Sequence, residues 1–200
     1  MHKIFLILSL CLGCLSVGAQ VQRGFIIKGE VNLPDGYSVG LCCHTDTAYS
    51  TKIADGWTKG GKFELKGRLD HPLSGTLMTN NLELVSKNNW PIDSIRWTYT
   101  DVFISNDDIF VDKDLKVTGG QVQTDFNEYQ SLKAKNESES ADWSFIDSHP
   151  QSVISVYLAN NLLKRGYNLT PEQVAHLERT ITSVPGDPIR MEEFRQRIAY

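Results

Sequence analysis

Trp90, Trp97 and Tyr99 are the side chains in this chain best suited to holding a ligand. On an extended strand Ile95, Trp97 and Tyr99 share one face, and Arg96, Thr98 and Thr100 form the other. Flat aromatic faces recruit sugars, yet aromatics at alternating positions more often fill a core. Core packing is therefore the expectation for that face, with a ligand platform of Trp90, Trp97 and Tyr99 as the alternative.

The cysteines offer a second chemistry. Cys11 and Cys14 lie in the apolar first twenty residues, which leaves Cys42 and Cys43 as neighbours. Consecutive strand residues point to opposite faces, so one thiol should be buried and the other exposed. Adjacent residues rarely meet disulfide geometry. Two unpaired thiols are the expectation, and a strained vicinal pair with a redox role is the alternative.

Other constellations fall short. His44, His71, His149 and His176 are never three to five residues apart, so no zinc pattern emerges. Asn106-Asp107-Asp108 with Asp112 and Asp114 is the densest acidic cluster, but a calcium loop needs alternating oxygen ligands, a turn Gly and a closing Glu. It reads as a solvated hairpin. Neither a Gly-rich phosphate cradle nor a nucleophile elbow is present. The chain reads as a non-enzyme with no catalytic residues, metal or cofactor.

Composition sets the frame for these residues. The chain has 200 residues, 40% of them hydrophobic and 22% charged, which excludes a mainly disordered protein. Its net charge of −4 carries no footprint for nucleic acid. Met1 to Gln20 combines a short basic start, an apolar run from Ile4 to Leu15 and a small-residue close at Val17-Gly18-Ala19. Those are the parts of a secretory signal peptide over residues 1–19, cut after Ala19. The apolar run is shorter than the roughly 20 residues of a membrane span, so no transmembrane segment is expected after cleavage. A lipid anchor on Cys14 fits poorly, because Cys11 stands where such a signal usually has Leu. Export to the periplasm or cell envelope is the expectation.

Two grammars follow the signal. From Phe25 to Val31 apolar residues alternate with polar ones, and Pro34-Asp35-Gly36 turns the chain. Further strands are predicted at Tyr37–His44, Ser50–Ala54, Lys62–Gly67, Leu73–Thr79, Asp93–Ser105, Ile109–Val111 and Leu115–Val117. Short strands with regular turns give an antiparallel β-sandwich-like domain over residues 20–120. After Gly119-Gly120 helical spacing takes over as a helical extension over residues 121–200. Phe126, Tyr129 and Leu132 form one stripe, Val174, Leu177 and Ile181 another, and Met191, Phe194 and Ile198 a third. Asn136 to Ser140 reads as a polar loop, Ser148-His-Pro-Gln151 as a helix start, and Thr170 and Asp187 as helix caps, each followed by Pro. The fold class is mainly β with α.

Several of these stretches carry a resemblance. Phe25-Ile-Ile-Lys-Gly-Glu-Val31, Gly60-Gly-Lys-Phe-Glu-Leu-Lys-Gly67, His71-Pro72, Val102-Phe-Ile-Ser-Asn-Asp-Asp-Ile109 and Val117-Thr-Gly-Gly120 resemble a Bacteroidetes domain of unknown function, number four-three-six-nine. Ser148-His-Pro-Gln-Ser-Val-Ile-Ser155 is similar to the segment that follows it. That domain commonly precedes a thioredoxin-like domain in exported thiol–disulfide oxidoreductases. No Cys-x-x-Cys lies beyond the signal here, so the resemblance transfers no redox residues. It implies a thioredoxin-associated module of the cell envelope, where glycans abound. Asp46-Thr47-Ala48 and Asp93-Ser94-Ile95 also match the short Asp–Ser/Thr–apolar signal for O-glycosylation in that phylum, on Thr47 or Ser94. The functional expectation is a binding or interaction module for a glycan or protein partner in the envelope. An accessory or truncated relative of a periplasmic thiol–disulfide oxidoreductase is the alternative.

Overall fold

Alternating apolar side chains build a two-sheet sandwich. The computed structural model describes residues 24–45, 48–136, 138–164 and 169–199. The segment assigned to the signal peptide, and Thr47, lie outside the described residues.

One sheet orders β4 (Lys62–Gly67), β1 (Phe25–Glu30), β7 (Asp108–Val111) and β8 (Val117–Thr118). Its β1–β7 pair is parallel and the others are antiparallel. The other sheet orders β3 (Ala48–Trp57), β2 (Ser38–Thr45), β5 (Leu73–Asn80) and β6 (Trp97–Ile104), all antiparallel. Phe25, Ile27, Phe63, Leu65 and Val111 from the first sheet share one buried cluster with Val39, Leu41, Leu77, Val102 and Ile104 from the second. That packing of two inner faces is a β-sandwich.

Helices cover part of the second sheet's outer face. The helical extension comprises α2 (Gln121–Lys133), α3 (Ser138–Ser148), α4 (Val153–Lys164), α5 (Pro171–Thr180) and α6 (Pro188–Ile198), of which α2 and α4 reach Phe103 on that face. Their buried stripes form a second cluster with Phe126, Tyr129, Leu177, Met191 and Phe194, into which β6 inserts Phe103. The β6 edge is closed there by Gln123, whose Oε1 accepts the Phe103 N–H at 2.9 Å. Such a cap satisfies a backbone donor that an edge strand would otherwise leave open. Mainly β with a helical extension is therefore the architecture.

The expected start signals hold at two helices. Thr170 and Gln173 form a reciprocal capping box with Pro171 at the first helical position, and Asp187 accepts the Arg190 N–H. Ser148 ends α3 instead of opening a helix, bonding back to Ser144 O at 2.8 Å. The cap of α4 is Ser152, whose Oγ accepts the Ile154 N–H at 3.1 Å. The expected polar loop over 136–140 overlaps the start of α3. Its Ala141 and Phe145, four residues apart, bury one stripe, and the polar first turn hid it from the sequence pattern.

The strand expected from Asp93 begins instead at Trp97. A short α1 (Leu82–Lys87) and a 3-10 turn at Ile92–Ser94 fill the connection before it. Asn81 ties the base of this insertion, accepting the Arg96 N–H at 2.7 Å and donating to Ser94 O at 3.1 Å. Leu115 is likewise not strand. It has φ 62° in the tight β7–β8 turn, where Asp112 Oδ1 accepts the N–H groups of Asp114 and Lys116.

Candidate functional site

Side chains at Trp97, Tyr99, Asp101 and Phe103 alternate onto the outer face of β6. The helices cover only the Phe103 end. Trp97 is 46% exposed and Tyr99 62% exposed, while Phe103 is fully buried. The expected core packing of Trp97 and Tyr99 is thus overturned: their face is the outer one. Thr98 and Thr100 turn inward and are half-buried, with Thr98 Oγ1 2.7 Å from Thr79 Oγ1.

The two exposed rings lie nearly parallel, 5° apart in plane with centroids 6.2 Å apart. Across the sheet Tyr99 pairs with Met78, and Met78 with Gly40. A Cβ at Gly40 would meet nothing within 4 Å, so the surface beside the rings is open. Trp90 is exposed too, but it borders a separate hollow of about 400 Å³ with Leu82, Val85, Ile92 and Ile95. Of the eight exposed large hydrophobic residues among those described, five lie between Leu82 and Tyr99, which concentrates the sticky surface on this end of the sheet.

Toward its covered end, β6 runs into a cleft between sheet and helices. Two adjoining cavities of about 220 Å³ each share His44, Ser74, Tyr157 and Asn161. Asp101, Lys133 and Asp142 line the first, and His71, Lys164, Arg190 and Glu193 the second. Tyr129 donates to Asp142 Oδ1 at 2.6 Å on the first wall. Burial pushes the Glu193 carboxyl up, but the hydrogen bonds and charges of Arg197 and Lys164 outweigh it and hold the group below the ordinary range. Sequence reasoning missed this cleft, because its residues come from β2, β5, β6 and four helices with no common spacing.

The remaining expected residues have other surroundings. Cys43 points into the sandwich core and Cys42 sits half-buried on the opposite face, both as free thiols. Burial, with the neighbouring Cys42 adding to it, pushes the Cys43 thiol up to about 12. A thiol held neutral in an apolar core is a poor nucleophile. Ser94 is half-buried in the 3-10 turn. Asn106 pins Leu69 through both of its backbone groups, and Asp107 accepts from Ser105 Oγ at 2.5 Å, so the acidic cluster serves the turns. His149 stacks on Phe145 at the end of α3, and His176 of α5 bonds Asp147 of α3 at 2.7 Å. No group of three or more metal-ligating residues occurs among the described residues.

Comparison with known proteins adds little. No protein-family model and no curated protein matches the chain. The crystal structure of transthyretin from Sparus aurata is similar over 48% of this chain and 93% of that one, at 9% identity and a TM-score of 0.27. That likeness is too weak to carry fold or function across. No helix among the described residues is long and apolar enough to cross a membrane.

Proposed function

We propose that this chain is an exported, non-enzymatic binding module of the cell envelope that holds a sugar ring of a glycan against Trp97 and Tyr99. The observation that carries this reading is the parallel, solvent-facing ring pair on β6. Two large aromatics left on an open sheet face keep apolar area in water that a ligand could cover. The stacked rings present exposed apolar surface to the C–H side of a sugar, and the hydroxyl-bearing first cavity beside Asp101 suits the sugar's polar edge. The signal-like pattern of residues 1–19 and the resemblance to a domain of exported proteins support the export part of the reading.

The redox-accessory alternative draws less support, since the Cys43 thiol is buried and neutral. A protein partner would meet the same aromatic face. Calorimetric titration with a panel of envelope oligosaccharides tests the reading. Binding that Trp97→Ala with Tyr99→Ala abolishes, without a change in unfolding, is expected. Silence across the panel, or binding that survives the double change, would overturn it.

A further inference from the structure

We propose that the second of the two cavities between the second sheet and the helices, the one lined by Arg190, is a separate site for a small organic carboxylate. It stands independently of the aromatic pair. Arg190 is the third residue of α6, and its guanidinium is fixed along one edge only. Nη1 donates to Pro72 O at 2.5 Å and to the fully buried Asp187 carboxylate. The guanidinium also rests against two rings that meet edge-on, with Cζ 5.5 Å from the centroids of both Phe103 and Tyr157.

The other edge is unused. Nε and Nη2 have no acceptor among the described residues. Arg190 lines the second cavity, and neither Nε nor Nη2 is among the buried unpartnered side-chain atoms of the described residues, which are Asn160 Oδ1 and Arg197 Nε. Parallel donors on a fixed guanidinium are the fork that carboxylates accept in bidentate fashion. Pre-fixing the fork removes much of the ordering cost of binding.

Charge and space agree with an anion. Around the second cavity Arg190, Lys164 and Arg197 face Asp187 and Glu193, leaving one positive charge in excess, while Asp101, Asp142 and Lys133 line the adjoining cavity. Glu193 repels little, because Lys164 at 2.9 Å and Arg197 at 2.7 Å already engage it. The Asn160 Oδ1 atom, buried on the same wall and unpartnered, asks for a donor. The volume of about 220 Å³ admits a molecule of monosaccharide size.

An NMR titration with D-glucuronate decides the matter, using D-glucose as the uncharged counterpart and sodium sulfate as the tetrahedral anion. Glucuronate should move the Arg190 Nε–H signal and its neighbours in α4 and α6, while glucose does not. Sulfate acting as strongly as glucuronate would contradict a carboxylate-selective fork. Arg190→Lys keeps a cation for Asp187 and should lower glucuronate affinity by roughly tenfold, one charge-assisted hydrogen bond. If that variant fails to fold, Ser74→Phe fills the cleft from β5 and should abolish the shifts with Arg190 intact. No response to glucuronate, equal responses to glucuronate and glucose, or unchanged affinity in folded Arg190→Lys would overturn the proposal.

Discussion

The two ends of β6 carry the same kind of side chain on the same face and do opposite things. At one end Trp97 and Tyr99 lie open to water, and at the other Phe103 is buried among Phe126, Tyr157 and Arg190. Residue type does not separate them. What separates them is cover: α2 and α4 reach Phe103 but stop short of Tyr99. A strand face is therefore core or surface according to what packs on it, and an aromatic on the uncovered part is available for binding.

Removing Phe103 should show the largest contrast. Phe103→Ala empties a site at the junction of sheet and helices and should cost about 3–5 kcal/mol in urea unfolding. Tyr99→Ala, two positions along the same face from Asp101, should stay within about 0.5 kcal/mol. Similar losses at both would erase the distinction between the ends. Next in size is Gln123→Ala, which leaves the buried Phe103 N–H without its acceptor at about 1–3 kcal/mol. Hydrogen exchange at Phe103 should accelerate in that variant while exchange at Leu77 stays slow.

A finer contrast lies between the two thiols. Iodoacetamide should label Cys42 in the folded protein and reach Cys43 only after unfolding, as peptide mapping would reveal. Because the Cys43 thiol is raised from 9.0 to about 12, its contribution is complete below pH 9. It is lost as pH climbs through that window, where the unfolded chain ionises first. Cys43→Ala should remove that alkaline component. The smallest effect belongs to Glu193, partly exposed between Lys164 and Arg197. Its carboxyl is lowered from 4.5, so its contribution is present above that pH and fades as pH falls through the lowered value. Glu193→Gln should flatten the acid limb by about 0.5 kcal/mol or less.

Much of the architecture could be read from periodicity. Alternation at Phe25, Ile27, Phe63 and Leu65 and the stripes at Leu177 and Phe194 reach the core as spacing requires. α3 was illegible because its first turn is polar, and α1 because six residues between Asn81 and Asn88 offer no helical repeat. The aromatic face misled for a different reason. Alternation says that Trp97 and Tyr99 share a face and is silent on which face is covered. The cleft had no linear signature at all, since Arg190 and Pro72 meet across 118 positions of sequence.

The indole N–H signals of Trp57, Trp90, Trp97 and Trp143 can be followed together in one labelled sample while envelope oligosaccharides are added. Binding at the open end of β6 predicts that Trp97 shifts with saturation while Trp143, packed in the helical cluster, stays still. A Trp97 signal that never moves, or that moves only in step with Trp143, would contradict a ligand site on the open end of β6.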